Sequence, residues 1–179
     1  MKPKETIGAF DEFLASHRIA FSAVAIGGTA LAILGVISRE TRDCDILDPE
    51  IPENVRKLAE EFAAEQTRVG NLLREDWLNN GPASLIKNLP DGWRNRLIPL
   101  FSGKSLKLST LGRPDLLRTK FFALCDRGTD RQDCLALKPS VEEIRESIEW
   151  VKYQDANPQW PKHVEEALTS LAKELGYGI

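Results

Sequence analysis

With 179 residues, 42% of them hydrophobic and 28% charged, the chain is long enough to bury a sizeable core and too apolar for extended disorder. Lys and Arg number 24 against 27 Asp and Glu, so the net charge of -3 provides no general footprint for nucleic acid. The odd cysteines Cys44, Cys125 and Cys134 form no CxxC pair, which argues against a disulfide framework or a zinc site and leaves them as small, half-buried packing residues.

Helical spacing of Phe10, Phe13 and Leu14 predicts a helix near the start, and Ala20 to Ile26 reads as a short buried strand ending at a double glycine. The apolar stretch from Ala20 to Val36 is broken by Ser22, Gly27, Gly28 and Thr29, which suits a strand, turn and helix rather than a membrane span. The first residues lead into an amphipathic helix without the apolar run of a secretory signal, so a cytoplasmic location with no membrane partner is expected. Thr29 to Leu34 is apolar all round, predicting an enclosed helix. Asp43 to Leu47 alternates as a second strand stopped by Asp48-Pro49, and Glu53 to Gln66 returns as a helix.

Gly70 to Gly92 is rich in Asn, Gly and Pro and reads as irregular, with at most short helical pieces. Leu97 to Phe101 and Leu106 to Leu111 flank Ser102-Gly103-Lys104 as a hairpin. Helices then follow from Pro114 to about Cys125 with a stop at Gly128, from Ser140 with the capping-box spacing to Glu143, and from Pro161. In the last helix Val164, Leu168, Leu171 and Leu175 share one face, either as core or as a docking surface for a partner. The expected organisation is an α/β core over residues 1–112 and a helical region over 113–179 packed on it as one compact unit.

Chemistry concentrates in a few places. Gly27-Gly28-Thr29 lies between a strand and a helix, where glycines let backbone amides approach a ligand and the helix start favours anions; the same pair also suits a plain tight turn. Asp43 and Asp45 are two apart on a strand, so both carboxylates project from one face. Such a pair either binds a hard divalent ion or stays solvated at a strand end. Lys120 falls at the centre of an apolar helical stripe among Leu116, Leu117 and Leu124, so it either snorkels or meets a carboxylate or phosphate. Asp130 and Asp133, three apart, are placed to neutralise Lys120 or Arg127. His17 and His163 sit apart on polar stretches and are expected to be solvated.

Gly27-Gly28-Thr29 followed by Arg39-x-Thr41-x-Asp43-x-Asp45 resembles the opening motif of the minimal nucleotidyltransferase superfamily, particularly its AbiEii-like toxin branch. The later Lys120, Arg127, Asp130 and Asp133 look like the lysine, arginine and paired-aspartate region of that branch, so the resemblance spans about residues 20–135. It implies an α+β fold, a mixed sheet flanked by helices with a C-terminal helical region. It further implies transfer of a nucleoside monophosphate from a nucleoside triphosphate to a hydroxyl on RNA, protein or a small molecule. Gly27, Gly28, Thr29 and Arg39 would then contact the nucleotide, and Asp43 and Asp45 would hold Mg2+ or Mn2+. Lys120 would contact phosphate or nucleotide, and Asp133 would orient Lys120 or act as general base. A cognate antitoxin would be the protein partner.

The chain departs from this pattern at one point of weight. Leu106-Lys107-Leu108-Ser109 carries none of the third carboxylate that many active members place on a later strand, and Glu75 and Asp76 would replace it only if the irregular segment folds back over the site. A fold that binds nucleotide or a protein partner without catalysis is therefore the competing expectation.

Overall fold

Ile7, Phe10 and Leu14 fall on one face of a helix and are fully buried there, which is why helix α1 (Pro3–Ser16) lies against a sheet. The computed structural model describes residues 2–178, and the chain divides into two compact units, Met1–Leu111 and Gly112–Ile179. Unit 1 adds β1 (Phe21–Ile26), α2 (Gly27–Ile33), β2 (Cys44–Asp48), α3 (Glu53–Arg68), β3 (Leu78–Asn79), β4 (Ile98–Ser102) and β5 (Leu106–Thr110).

The five strands form one sheet in the order β3-β2-β1-β5-β4. Strand β1 runs antiparallel to β2 and parallel to β5, β3 is parallel to β2, and β4 and β5 form the expected antiparallel hairpin. The expected mixed sheet flanked by helices, with a helical C-terminal region, is the fold observed. Ala23 to Ile26 of β1 are all buried, as a central strand covered on both faces requires.

Strand β3 lies inside the stretch read as irregular. Two residues are too few to display alternation, and its position is set instead by Trp77, fully buried edge-on to Phe10 at 5.1 Å between ring centroids. The Trp77 indole N–H donates to the Ala59 carbonyl at 3.1 Å, anchoring the segment on α3. A second correction concerns α2. Thr29 to Leu31 are buried, but the helix emerges from the fold within its seven residues and Leu34 beyond it is exposed.

Asp11 joins α1 to the hairpin by accepting the backbone N–H groups of Lys104, Ser105 and Leu106 at 2.9, 2.8 and 2.7 Å. Burial opposes its charge, yet these amide bonds outweigh that and hold its carboxyl below the usual range. A side chain at Gly103 would overlap the Asp11 carboxylate, so the turn requires glycine there.

Unit 2 consists of α4 (Arg113–Arg127), α5 (Arg131–Leu137), α6 (Val141–Lys152) and α7 (Trp160–Glu174). Gly128, at φ 70°, ends α4 in the left-handed conformation. Ser140 and Glu143 make the expected capping box, at 3.2 Å for Glu143 N–H to Ser140 Oγ and 2.9 Å for Ser140 N–H to Glu143 Oε2. Val164, Leu168 and Leu171 are fully buried within this unit, so the α7 stripe is core rather than a docking face. The three cysteines are free and buried, more deeply than expected. His163, although exposed, bonds the Cys125 carbonyl at 2.8 Å. No helix among the described residues is long and apolar enough to cross a membrane.

Candidate functional site

Pairing between β1 and β2 builds the first polar cluster. Ile26 stands opposite Asp45, so Gly27, the next residue after β1, is carried to the carboxylate end of β2. Gly27 has φ 76°, and a Cβ there would lie 2.6 Å from Asp45 Oδ2. Only glycine therefore combines that backbone with that approach. A Cβ on Gly28 would sit 3.0 Å from Thr41 Cγ2 and 3.7 Å from the Arg39 guanidinium, so Arg39 lies over the second glycine. Helix α2 has only seven residues, so any attraction for anions here comes from local backbone amides rather than a long helix dipole.

Asp43 and Asp45 are both half-buried, but they are not held alike. Asp45 is in the ladder, whereas Asp43 lies one residue before β2, where its backbone carbonyl accepts the Thr29 hydroxyl at 2.6 Å. Cys44 and Ile46 between and beyond them are fully buried on the opposite side. The Cys44 thiol is pushed far up, first by burial and then by the charges of Asp45 and Asp43, so it is inert as a nucleophile. Both acids are oxygen donors, and the missing side chain at Gly27 lets the Asp45 carboxylate close on the turn, a donor set that fits a hard divalent ion completed by phosphate oxygens. Among the described residues, no three of His, Cys, Asp and Glu converge on a metal position by themselves.

The segment before β3 carries an ion pair of its own. Glu75 and Asp76 are exposed, and Asp76 is held by Arg74 at 2.8 and 2.6 Å. Arg74 is raised above its ordinary value chiefly by its hydrogen bonds to Asp76, with a lesser contribution from the charge of Asp43. Strand β5, beside β1, carries no carboxylate. Arg74 was not singled out by sequence reasoning, and no periodicity or spacing in that stretch marks it.

Unit 2 holds the second cluster. Lys120 Nζ donates to Asp130 Oδ1 at 2.8 Å and to Asp133 Oδ2 at 2.7 Å, and the lysine side chain is only 7% exposed. The central position of Lys120 on the α4 stripe buries it, and Asp133 on α5 with Asp130 at its N-terminus supply the carboxylates. Burial opposes the Lys120 charge, but both carboxylates outweigh it and hold its pKa above the ordinary lysine value. Asp130 is likewise lowered against burial by Lys120 and by Arg127, whose Nη2 lies 3.1 Å from Asp130 Oδ2. Of the two outcomes expected for Lys120, the carboxylate partner is the one observed.

The family described as nucleotidyltransferase of unknown function (DUF6036) matches residues 6–156, a span that includes both clusters. The chain belongs to this family. No curated protein and no solved structure matches it. Membership supports the superfamily that the glycine and aspartate motifs resemble, and it does not extend to the AbiEii-like branch.

Proposed function

We propose that the chain binds a nucleoside triphosphate at the glycine turn of unit 1 and transfers its nucleoside monophosphate to a hydroxyl acceptor. The observation that carries this reading is the β1–β2 register, which sets Gly27 against the Asp45 carboxylate and leaves no room for a side chain between them. Asp43 and Asp45 would hold Mg2+ or Mn2+, whose chemistry is to neutralise phosphate charge. The amides of Gly27 and Gly28 and the guanidinium of Arg39 would bind phosphate oxygens, with positioning and fixed charge lowering the barrier to attack by the hydroxyl and departure of pyrophosphate.

Lys120 is proposed as the fixed cation of unit 2. Asp133 orients it, because Asp133 Oδ2 already accepts from Lys120 Nζ at 2.7 Å and so has less freedom to act as a base. The acceptor is RNA, protein or a small molecule, and the biological setting proposed is the toxin of a toxin–antitoxin pair. The carboxylate-free β5 favours a second reading, a nucleotide-binding protein of the same fold without transfer.

Isothermal titration with the four common nucleoside triphosphates, with and without Mg2+, tests the site. Binding that Mg2+ strengthens, with that gain lost in the folded Asp43→Ala/Asp45→Ala variant, is expected; wild-type binding to none of them sinks both readings. Pyrophosphate release on adding candidate acceptors, absent from the same variant, then separates transfer from binding alone. Growth arrest on expression that the double substitution relieves is expected for a toxin, and unimpaired growth with wild type removes that setting.

A further inference from the structure

The two carboxylates of the unit 1 cluster are fixed by different means. Asp45 is held by the β1–β2 ladder, while Asp43, outside the strand, has two threonine hydroxyls at its backbone carbonyl. Thr29 Oγ1 donates to that carbonyl at 2.6 Å, Thr41 Oγ1 lies 3.4 Å from it, and the two hydroxyl oxygens are 3.0 Å apart. Thr29 is 1% exposed and Thr41 5%.

A hydroxyl carries a single proton. With the Thr29 proton on the Asp43 carbonyl, the contact between the hydroxyls runs from Thr41 to Thr29, and the bonds form a chain in which each polarises the next. A phosphate oxygen is an acceptor, so Thr29 in this arrangement has no proton to offer it. The geometry points to Thr29 and Thr41 as positioning residues of the metal site: they pin the Asp43 peptide, and through it the Asp43 carboxylate, beside the glycine turn, and Thr29 does not grip phosphate. The inference rests on the reading of unit 1 as a site for a metal ion and a nucleoside triphosphate.

Its test is calorimetric titration of the triphosphate that binds wild type best, over a series of Mg2+ concentrations and in chelator, on Thr29→Val, Thr41→Val, Thr29→Ser and Thr41→Ser. Groups that orient metal ligands typically change metal affinity by about 10- to 100-fold when removed. Both valine variants are therefore expected to raise the Mg2+ concentration for half-maximal binding by about tenfold, with affinity in chelator unchanged and the serine variants close to wild type. Thr41→Val leaves the 2.6 Å bond from Thr29 to the Asp43 carbonyl in place and serves where Thr29→Val does not fold. An unmoved Mg2+ midpoint in the folded valine variants overturns the inference while the site stands. So does loss of affinity in chelator for Thr29→Val alone, the mark of a phosphate ligand. Wild type without Mg2+-dependent binding removes the metal site and this inference with it.

Discussion

The chain carries two polar clusters of opposite construction. In unit 1, half-buried carboxylates meet a glycine turn whose backbone leaves no space for a side chain, and their orientation comes from strand register and two hydroxyls. In unit 2, Lys120 sits between Asp130 and Asp133 with Arg127 at the rim, and the charges of the four groups cancel. The first arrangement is set by backbone geometry, with the Arg39 guanidinium over the second glycine, whereas the second is a buried ion-pair network between α4 and the start of α5. Carboxylates are thus oriented by strand register and hydroxyls in one unit and by buried ion pairs in the other.

The largest expected effect falls on the second cluster. Lys120→Met leaves two buried carboxylates without their cation and is expected to cost about 3–5 kcal/mol in urea unfolding. Adding Asp130→Asn and Asp133→Asn should restore most of that loss. A single-variant loss well under about 1 kcal/mol would show that the charges are solvated and the contrast between the clusters is wrong.

Gly27→Ala comes next. Its positive φ costs about 1–2 kcal/mol for a residue with a side chain, and the new methyl group would push the Asp45 carboxylate aside. Mg2+-dependent binding of nucleoside triphosphate should therefore weaken by about tenfold or more, an effect that Lys120→Met does not reproduce through the metal. Unchanged calorimetric binding in Gly27→Ala would separate the glycine turn from the carboxylates.

The smallest change is in pH dependence. Asp130 titrates below its unfolded value, so its contribution is complete above about pH 4 and is lost as acid takes the pH through the folded value. Lys120 titrates above its unfolded value, so its contribution is complete below about pH 10 and is lost as the pH rises through the folded value. Urea midpoints should accordingly form a plateau eroded at both ends. In Lys120→Met the alkaline erosion should lessen, and acid should relieve the buried carboxylates instead of destabilising them. Identical profiles for the two proteins would contradict the pairing.

Local chemistry by itself determined a good part of this protein. Glycines at 27 and 28 mark a strand-to-helix turn, Ser140 and Glu143 mark a helix start, and the hairpin follows from two β-like runs around a short turn containing Gly103, because each signal lies within a few residues of chain. The centred position of Lys120 likewise narrowed its fate to snorkelling or meeting a carboxylate or phosphate, since an unpaired buried ammonium is costly. Only the tertiary structure decided that both Asp130 and Asp133 are its partners and that β3 exists. It also decided that the Thr29 hydroxyl turns to the Asp43 carbonyl. Each of these depends on strand pairing or helix packing between residues distant in sequence, and a one-dimensional pattern records which side chains need partners without recording which partners the fold brings to them.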